Sequence, residues 1–207
     1  MLHYKITIYC FKKLKVCDNI NFDNSKLTIG HLERRVDMEI NKMIKAALMT
    51  ALTAVGAYII IPLPFSPVPI TLQTFFVLLS GRLLGKKYGP LSQIVYLILG
   101  AAGLPIFSGG RGGLGVLAGP TGGFLISFAA AAWIASIKTE SKKKNFFIYL
   151  AALACIYLVG STYFIFVTET PLLAALNMTV IPFIPGDLFK IAVLMITAPI
   201  IEKRLKR

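Results

Sequence analysis

The sequence predicts an all-α integral membrane protein with six transmembrane helices, cytoplasmic N and C termini and a multi-pass location in the cell membrane. Three observations support this fold class. The chain is 56% hydrophobic and 15% charged, whereas soluble domains contain about 25% charged residues. Residues 46–81 and 112–137 carry no charge, and such long uncharged runs are typical of segments that cross lipid. The basic residues of the apolar part cluster in short links, as in cytoplasmic loops.

Residues 1–41 differ from the rest of the chain because they are polar, mixed in charge and without sustained periodicity. We interpret them as an N-terminal extension with no assigned role. They are either a cytoplasmic tail or sequence upstream of a true start at Met38 or Met43. Residues 42–207 are predicted to form a six-helix membrane domain that binds a substrate.

The first uncharged run is too long for one helix, since about 20 residues cross the hydrocarbon core. Alternating prolines divide it at positions 62, 64, 67 and 69, because they impose extended backbone. Basic or Gly- and Pro-rich links separate the later helices. The predicted helices cover 43–61, 70–81, 88–104, 120–137, 145–168, and a last one from about 186 to just before Glu202.

Links rich in Lys and Arg alternate with links in which Arg111 is the only base. Six helices with both termini inside place every basic link in the cytoplasm, whereas five or seven would leave one outside. A re-entrant element at 108–119 is the alternative, and it leaves the topology unchanged. The basic links are 82–87, 138–144 and 203–207, and the others are 62–69, 105–118 and 169–186.

Two ionisable residues lie near the start of the last helix. Asp187 and Lys190 are three residues apart, so they share one helix face. From Asp187 inward this helix is only about 22 Å long, shorter than a hydrocarbon core of about 30 Å. We therefore expect the pair below the outer surface, in a protein-lined cavity. A self-neutralising salt bridge without further role is the alternative, but ionisable residues inside membranes usually mark function.

Arg111 lies in a Gly-rich segment that is otherwise free of charge. An arginine binds carboxylates through two parallel hydrogen bonds, so Arg111 is a candidate for an anionic group of a ligand. The alternative is a loop arginine that reaches the outer headgroups.

Small residues four apart let another helix approach closely in lipid. Ala47 and Ala51 have this spacing on the first helix. They indicate either internal packing or a face that docks a partner protein.

The sequence offers no pattern for catalysis. His3 and His31 are the only histidines, and the acids of the membrane domain have no metal-ligand or nucleophile–base spacing. The Gly-rich match at 110–115 lacks the strand and helix context of a nucleotide site, and the match at 81–87 is one residue short of a P-loop and lacks its Ser or Thr. We therefore expect no catalytic residue, no cofactor and no metal, and any ATP-driven step requires another subunit. The net charge of +13 is spread over cytoplasmic links, so we expect a lipid bilayer and not nucleic acid as partner.

With these segments laid out, the chain resembles the BioY family, the biotin-capturing S components of energy-coupling factor (ECF) transporters. The resembling motifs follow one another over roughly residues 42–201. They are PVPITLQT at 67–74, the segment from Gly81 to Gly89, LGAAGLPIF at 99–107, GGRGG at 109–113, GPTGGF at 119–124 and IPGDLFK at 184–190.

The resemblance implies an S-component bundle of six helices that binds biotin from outside. It also implies delivery inward after docking on a transmembrane T subunit driven by two ATPases. Ala47 and Ala51 correspond to the docking motif of such proteins. Asp187 and Lys190 match the family's ligand-binding acid and base.

The Gly-rich ligand loop of the family corresponds here to 109–113, with Gly112 and Gly113 in it. Its middle position varies in the family and is Arg111 here. Phe124 stands where an aromatic residue, often Tyr, is usual. Leu125 stands where some members carry an arginine, which makes Arg111 a candidate replacement.

Biotin combines a ureido ring, an apolar sulfur ring and a carboxylate tail. We expect Asp187 to accept a ureido N–H and Lys190 to donate to the ureido carbonyl. Arg111 is expected to bind the carboxylate, Phe124 to cover the ring and Gln73 to add a polar contact. The alternatives are an S component for thiamine or riboflavin, a membrane enzyme such as a transferase, and a stand-alone channel or scaffold.

Overall fold

The computed structural model describes residues 22–205, and residues from Lys42 onward form one compact unit. The helices and strands of the described residues follow one another in this order: α1 (Phe22–Tyr58), β1 (Ile60–Leu63), β2 (Ser66–Thr71), α2 (Gln73–Ala101), α3 (Leu114–Ala118), α4 (Gly122–Ala135), α5 (Lys142–Thr168), α6 (Leu172–Thr179) and α7 (Ile184–Leu205).

The prolines of residues 62–69 impose extended backbone, as expected, but this backbone also pairs with itself. β1 and β2 form an antiparallel hairpin in which Ile60 pairs with Thr71. Prolines are tolerated there because both strands of a two-stranded sheet are edge strands. Residues whose backbone N–H would point away from the partner strand need no such donor. The predicted ends of the flanking helices, 61 and 70, are therefore wrong, since α1 ends at Tyr58 and α2 begins at Gln73.

The two predicted helices 70–81 and 88–104 correspond to the two arms of α2. Gly85 interrupts this helix with φ 76 and ψ −170, a conformation open to glycine because it has no Cβ. The arms pack closely, since a Cβ on Gly89 would lie 2.8 Å from the Cα of Gly81. The predicted link is therefore a sharp break at a single residue.

Other helix ends also differ from expectation. Helix α4 covers 122–135 and not 120–137, and α5 begins at Lys142 and not at 145. The last helix, α7, covers Ile184–Leu205 and so does not end before Glu202. Residues 22–42 belong to α1 although they lack apolar periodicity. Lys, Leu, Glu and Arg favour helix on their own, so a basic or polar segment extends a helix as readily as it ends one. Short α3 and α6 were not predicted.

The apolar core joins α2, α4 and α5. Ala131, Ala132 and Ala135 of α4 have no exposed surface, and Gly81 lies against the carbonyl of Ala132. Small residues here let the helix backbones approach closely, which favours van der Waals packing between helices. Among the described residues, α5 and α7 are long and apolar enough to cross a bilayer, with mean hydropathy 2.1 and 1.7.

Ion pairs gather the basic links at one end of the bundle, which we call the basic end. Arg82 pairs with Glu202 at 3.3 Å, and Lys138 pairs with the same carboxylate. The Lys42 ammonium lies 5.9 Å from the Tyr88 ring centroid. The ion pairs connect the predicted basic links 82–87 and 138–144 to the end of α7, and Lys42 lies beside Tyr88, which follows the first of these links.

The opposite end, which we call the cavity end, gathers the segments that are nearly free of bases. The Tyr58 hydroxyl donates to the carbonyl of Pro105. Ser108 donates to the Gln73 side chain at 2.9 Å. Asp187, at the start of α7, also lies at this end of the bundle. Links rich in bases and links nearly free of them therefore lie at opposite ends of the fold.

Candidate functional site

A buried ion pair lies at the start of α7. The Lys190 ammonium is 2.7 Å from Oδ1 of Asp187, and the two residues are 9% and 3% exposed. The ammonium also donates to the carbonyl of Thr71 at 2.5 Å and to Oγ1 of Thr74 at 3.0 Å. An ammonium has three donor hydrogens, so these three acceptors engage Lys190 completely.

The carboxylate of Asp187 is held from three directions. Its Oδ1 accepts hydrogen bonds from Lys190 and from the Thr74 hydroxyl at 3.0 Å. Its Oδ2 accepts a hydrogen bond from the Tyr157 hydroxyl at 2.6 Å. Asp187 also lies in the first turn of α7, where the helix dipole favours an anion. The buried charge is therefore fully compensated by groups of this chain.

A cavity of about 50 Å³, the main cavity, opens onto this pair. Its walls come from β2, α2, α4, α5, α7 and the segments around Ser108 and Phe183. One side is polar and the other is apolar, as in most small-molecule sites. The polar residues are Thr71, Gln73, Thr74, Ser108, Thr121, Tyr157, Asp187 and Lys190, and the apolar residues are Val68, Pro69, Phe124, Leu125, Phe128, Ile156 and Phe183.

Gln73 has a side-chain orientation that its neighbours determine. The Tyr96 hydroxyl donates its hydrogen to the carbonyl of Ile106, so it must accept from the Gln73 amide nitrogen. The amide oxygen accepts from Ser108 at 2.9 Å and from Thr71 at 3.1 Å. Since the amide nitrogen carries two hydrogens, the bond to Tyr96 uses one and leaves the other for a further acceptor. The sequence-based prediction of a polar contact from Gln73 thus has a donor to support it.

Phe124 contributes to the apolar wall, where the sequence predicted a ring contact. Its ring packs over Gly160 of α5, where a Cβ would lie 2.2 Å from a ring carbon. A larger residue at position 160 would therefore push the Phe124 ring away from α5. Leu125 lies beside it, 3% exposed.

Arg111 is exposed and does not line the main cavity. It lines a neighbouring space of about 240 Å³, the side cavity, together with the β1–β2 hairpin. Its Nε donates to the carbonyl of Ser108 at 3.1 Å. The two cavities share Pro69 and Ser108, so the structure places Arg111 beside the buried pair's cavity and not inside it.

A tight turn holds Arg111 in this position. The amide of Phe107 donates to the carbonyl of Arg111 at 2.9 Å, and the intervening Gly109 and Gly110 have φ of 75 and 71. Consecutive positive φ angles are the signature of a tight hairpin turn. The Phe107 ring is completely buried and anchors the turn against Gly100.

Gly112 and Gly113 line neither cavity. A Cβ on Gly112 would lie 2.3 Å from the carbonyl oxygen of Leu104. The amide of Gly113 donates to the carbonyl of Gly100 at 2.7 Å. Both glycines position the loop that carries Arg111, and the structure does not bring them to the buried pair.

Three residues at the buried pair were not predicted from the sequence. Thr71 and Thr74 belong to the 67–74 motif, but their contacts depend on where β2 ends. Tyr157 gave no signal, because an aromatic residue in an apolar helix usually packs in lipid or core.

Comparison with known proteins identifies the family. A profile of the BioY family matches residues 29–207. This chain belongs to the BioY family. The resemblance inferred from its motifs is therefore confirmed.

Relatives and a solved structure agree with the assignment to BioY. The "Biotin transporter BioY" of Thermotoga maritima is 44% identical over 172 residues, which cover 81% of this chain and 97% of that protein. The "Biotin transporter BioY" of Lactococcus lactis subsp. cremoris is 32% identical over 181 residues, covering 83% and 93%. A crystal structure of "the S-component for biotin from an ECF-type ABC transporter" is similar, with TM-score 0.74 and 29% identity over 83% of this chain and 94% of that chain.

Removal of the cation tests whether the pair stabilises this BioY fold. Lys190→Met leaves the Asp187 carboxylate buried without a counter-ion, and we expect a loss of about 3–5 kcal/mol of folding free energy. The double variant Asp187→Asn/Lys190→Met removes both charges and should regain most of this loss. Thermal unfolding in detergent measures both. Equal unfolding temperatures for the single and double variants would contradict the account.

Proposed function

We propose that this chain is the S component of an ECF-type transporter and captures biotin at the outer face of the cell membrane. It is a substrate-binding subunit and not an enzyme. The observation that carries this function is the buried Asp187–Lys190 pair, which lines the main cavity in a protein of the BioY family. A compensated ion pair beside an apolar wall suits a neutral polar ring system.

The proposed topology has six membrane crossings with both termini in the cytoplasm. The two arms of α2 supply two crossings, and α1, α4, α5 and α7 supply one each. The segregation of links supports this arrangement, because Arg82 and Lys138 meet Glu202 at the basic end. The positive-inside rule assigns that end to the cytoplasm. The main cavity then opens toward the outside.

The ureido ring is proposed to bind at the pair. Asp187 accepts one ureido N–H through the acceptor position that remains on Oδ2. Donation from Lys190 to the ureido carbonyl requires the ammonium to give up one protein acceptor, since all three hydrogens are in use. The Thr74 hydroxyl is the acceptor to yield, because it is an uncharged side chain, whereas the other two acceptors are a backbone carbonyl and the Asp187 carboxylate. The remaining amide hydrogen of Gln73 is a second donor for the same carbonyl.

The apolar wall is proposed to cover the fused rings. Phe124, Phe128 and Ile156 supply this surface. The main cavity of about 50 Å³ holds only a few water-sized spheres, so biotin must widen it on entry.

The carboxylate tail is proposed to reach the side cavity. Among the described residues that line the two cavities, Lys190 and Arg111 are the cations. Lys190 is engaged by Asp187, so Arg111 is the cation available to an anion. The shared wall at Pro69 and Ser108 provides the route from one cavity to the other.

Ala47 and Ala51 are proposed to dock the transmembrane T subunit, which two ATPases would energise. Both alanines are exposed, whereas Ala46 and Met49 on the same helix are buried. Leu48 and Val55 are each 55% exposed. An exposed apolar face with small residues at four-residue spacing suits close contact with another helix.

Equilibrium titration of the purified chain with labelled biotin tests the proposed ligand. We expect saturable binding that Asp187→Asn weakens about 100-fold or more, because the variant loses a charged acceptor in a buried site. Glu140→Gln, at an exposed acid near the basic end, should leave the affinity unchanged. Unaltered biotin affinity in Asp187→Asn, or saturable binding of thiamine or riboflavin in place of biotin, would refute the assignment.

Biotinamide isolates the role of Arg111, since it lacks the carboxylate. We expect Arg111→Ala to weaken biotin about tenfold, as the loss of a charge-assisted hydrogen bond predicts, and to leave biotinamide affinity unchanged. Lys86→Ala, an exposed base at the other end of the bundle, serves as the matched control. If Arg111→Ala weakens both ligands equally, Arg111 acts on the fold of the loop and not on the carboxylate.

A further inference from the structure

Tyr157 is the one hydrogen-bond partner of Asp187 that comes from α5. Its hydroxyl donates to Oδ2 at 2.6 Å, and its side chain lines the main cavity. Lys190 and Thr74 both bind the other oxygen, Oδ1. Tyr157 therefore controls the carboxylate oxygen that the remaining partners leave free.

A carboxylate offers about four acceptor positions, two on each oxygen. Lys190 and Thr74 fill both positions on Oδ1. Tyr157 fills one position on Oδ2. One acceptor position then remains for a ligand, and Tyr157 decides which side of Oδ2 it faces.

We propose that Tyr157 is a positioning residue whose hydroxyl aims the remaining acceptor of Asp187 at one N–H of a cyclic urea. This inference rests on the proposed function. Tyr157 acts through Asp187, and the ligand feature that it selects is the ureido ring. The sulfur ring and the carboxylate tail lie outside its influence.

The geometry explains why a second anchor is needed. The terminal torsion of an aspartate is broad, so bonds to Oδ1 alone leave Oδ2 free to tilt. With Tyr157 in place, the carboxylate is held from α2, α5 and α7 together. A ligand N–H then meets an acceptor with a fixed direction. The carboxylate is already ordered before the ligand binds, so binding loses less conformational entropy.

Tyr157→Phe removes the hydroxyl and keeps the ring. We expect it to weaken biotin binding about tenfold or more, because one charge-assisted hydrogen bond no longer orients the acceptor. Tyr163→Phe is the matched control, since Tyr163 lies on the same helix, donates to the carbonyl of Leu117 at 3.0 Å and lines neither cavity. The control should change biotin affinity less than about twofold.

Two further measurements separate positioning from packing. In the Asp187→Asn background, Tyr157→Phe should add less than about threefold, because residues that act through one another are not additive. Desthiobiotin keeps the cyclic urea but lacks the sulfur ring. It should lose the same factor as biotin in Tyr157→Phe.

The outcomes distinguish this inference from the proposed function. If the unmodified chain does not bind biotin, the proposed function fails. If the unmodified chain binds biotin and Tyr157→Phe binds it equally well, only the positioning role fails. An equal loss with and without Asp187→Asn, or a loss for biotin but not for desthiobiotin, would likewise overturn the role of Tyr157.

Discussion

A buried charge in a membrane domain must be compensated, and this requirement organises the cavity end of the molecule. Lys190 needs three acceptors, and Thr71, Thr74 and Asp187 supply them. The pair therefore connects the end of β2, the start of α2 and the start of α7. The same contacts leave few hydrogen-bonding positions for a ligand, among them one acceptor position on Oδ2 of Asp187. These remaining positions determine which polar groups the site can recognise.

The sequence allowed much of the fold to be predicted because charge and proline act locally. Alternate prolines at 62–69 indicated extended chain, and the charge-free runs indicated membrane segments. The three-residue spacing put Asp187 and Lys190 on one helix face, and the structure places both in a cavity wall with Gln73 and Phe124. The expected short last helix is wrong, because α7 covers Ile184–Leu205 and is long enough to cross a bilayer. The family resemblance needed several weak motifs in one order, since no single motif was specific.

Other features depend on tertiary contacts that no local pattern encodes. The hairpin arises because β1 and β2 meet after the prolines have straightened the chain. The hydrogen bond of Tyr157 requires α5 to face α7, which apolar periodicity cannot reveal in a segment that is apolar all around. The separation of Arg111 from the main cavity follows from the turn that its neighbouring glycines form. The sequence could single out Arg111, but it could not show that its side chain lines the side cavity.

A structure of the biotin-bound chain, at a resolution that shows the ligand ring, tests the central claim most directly. We expect the ureido ring in the main cavity, with one ring nitrogen within hydrogen-bond distance of the Asp187 carboxylate and the tail directed toward Arg111. Biotin bound elsewhere, or bound in the main cavity with its ureido ring turned away from Asp187 and Lys190, would contradict it.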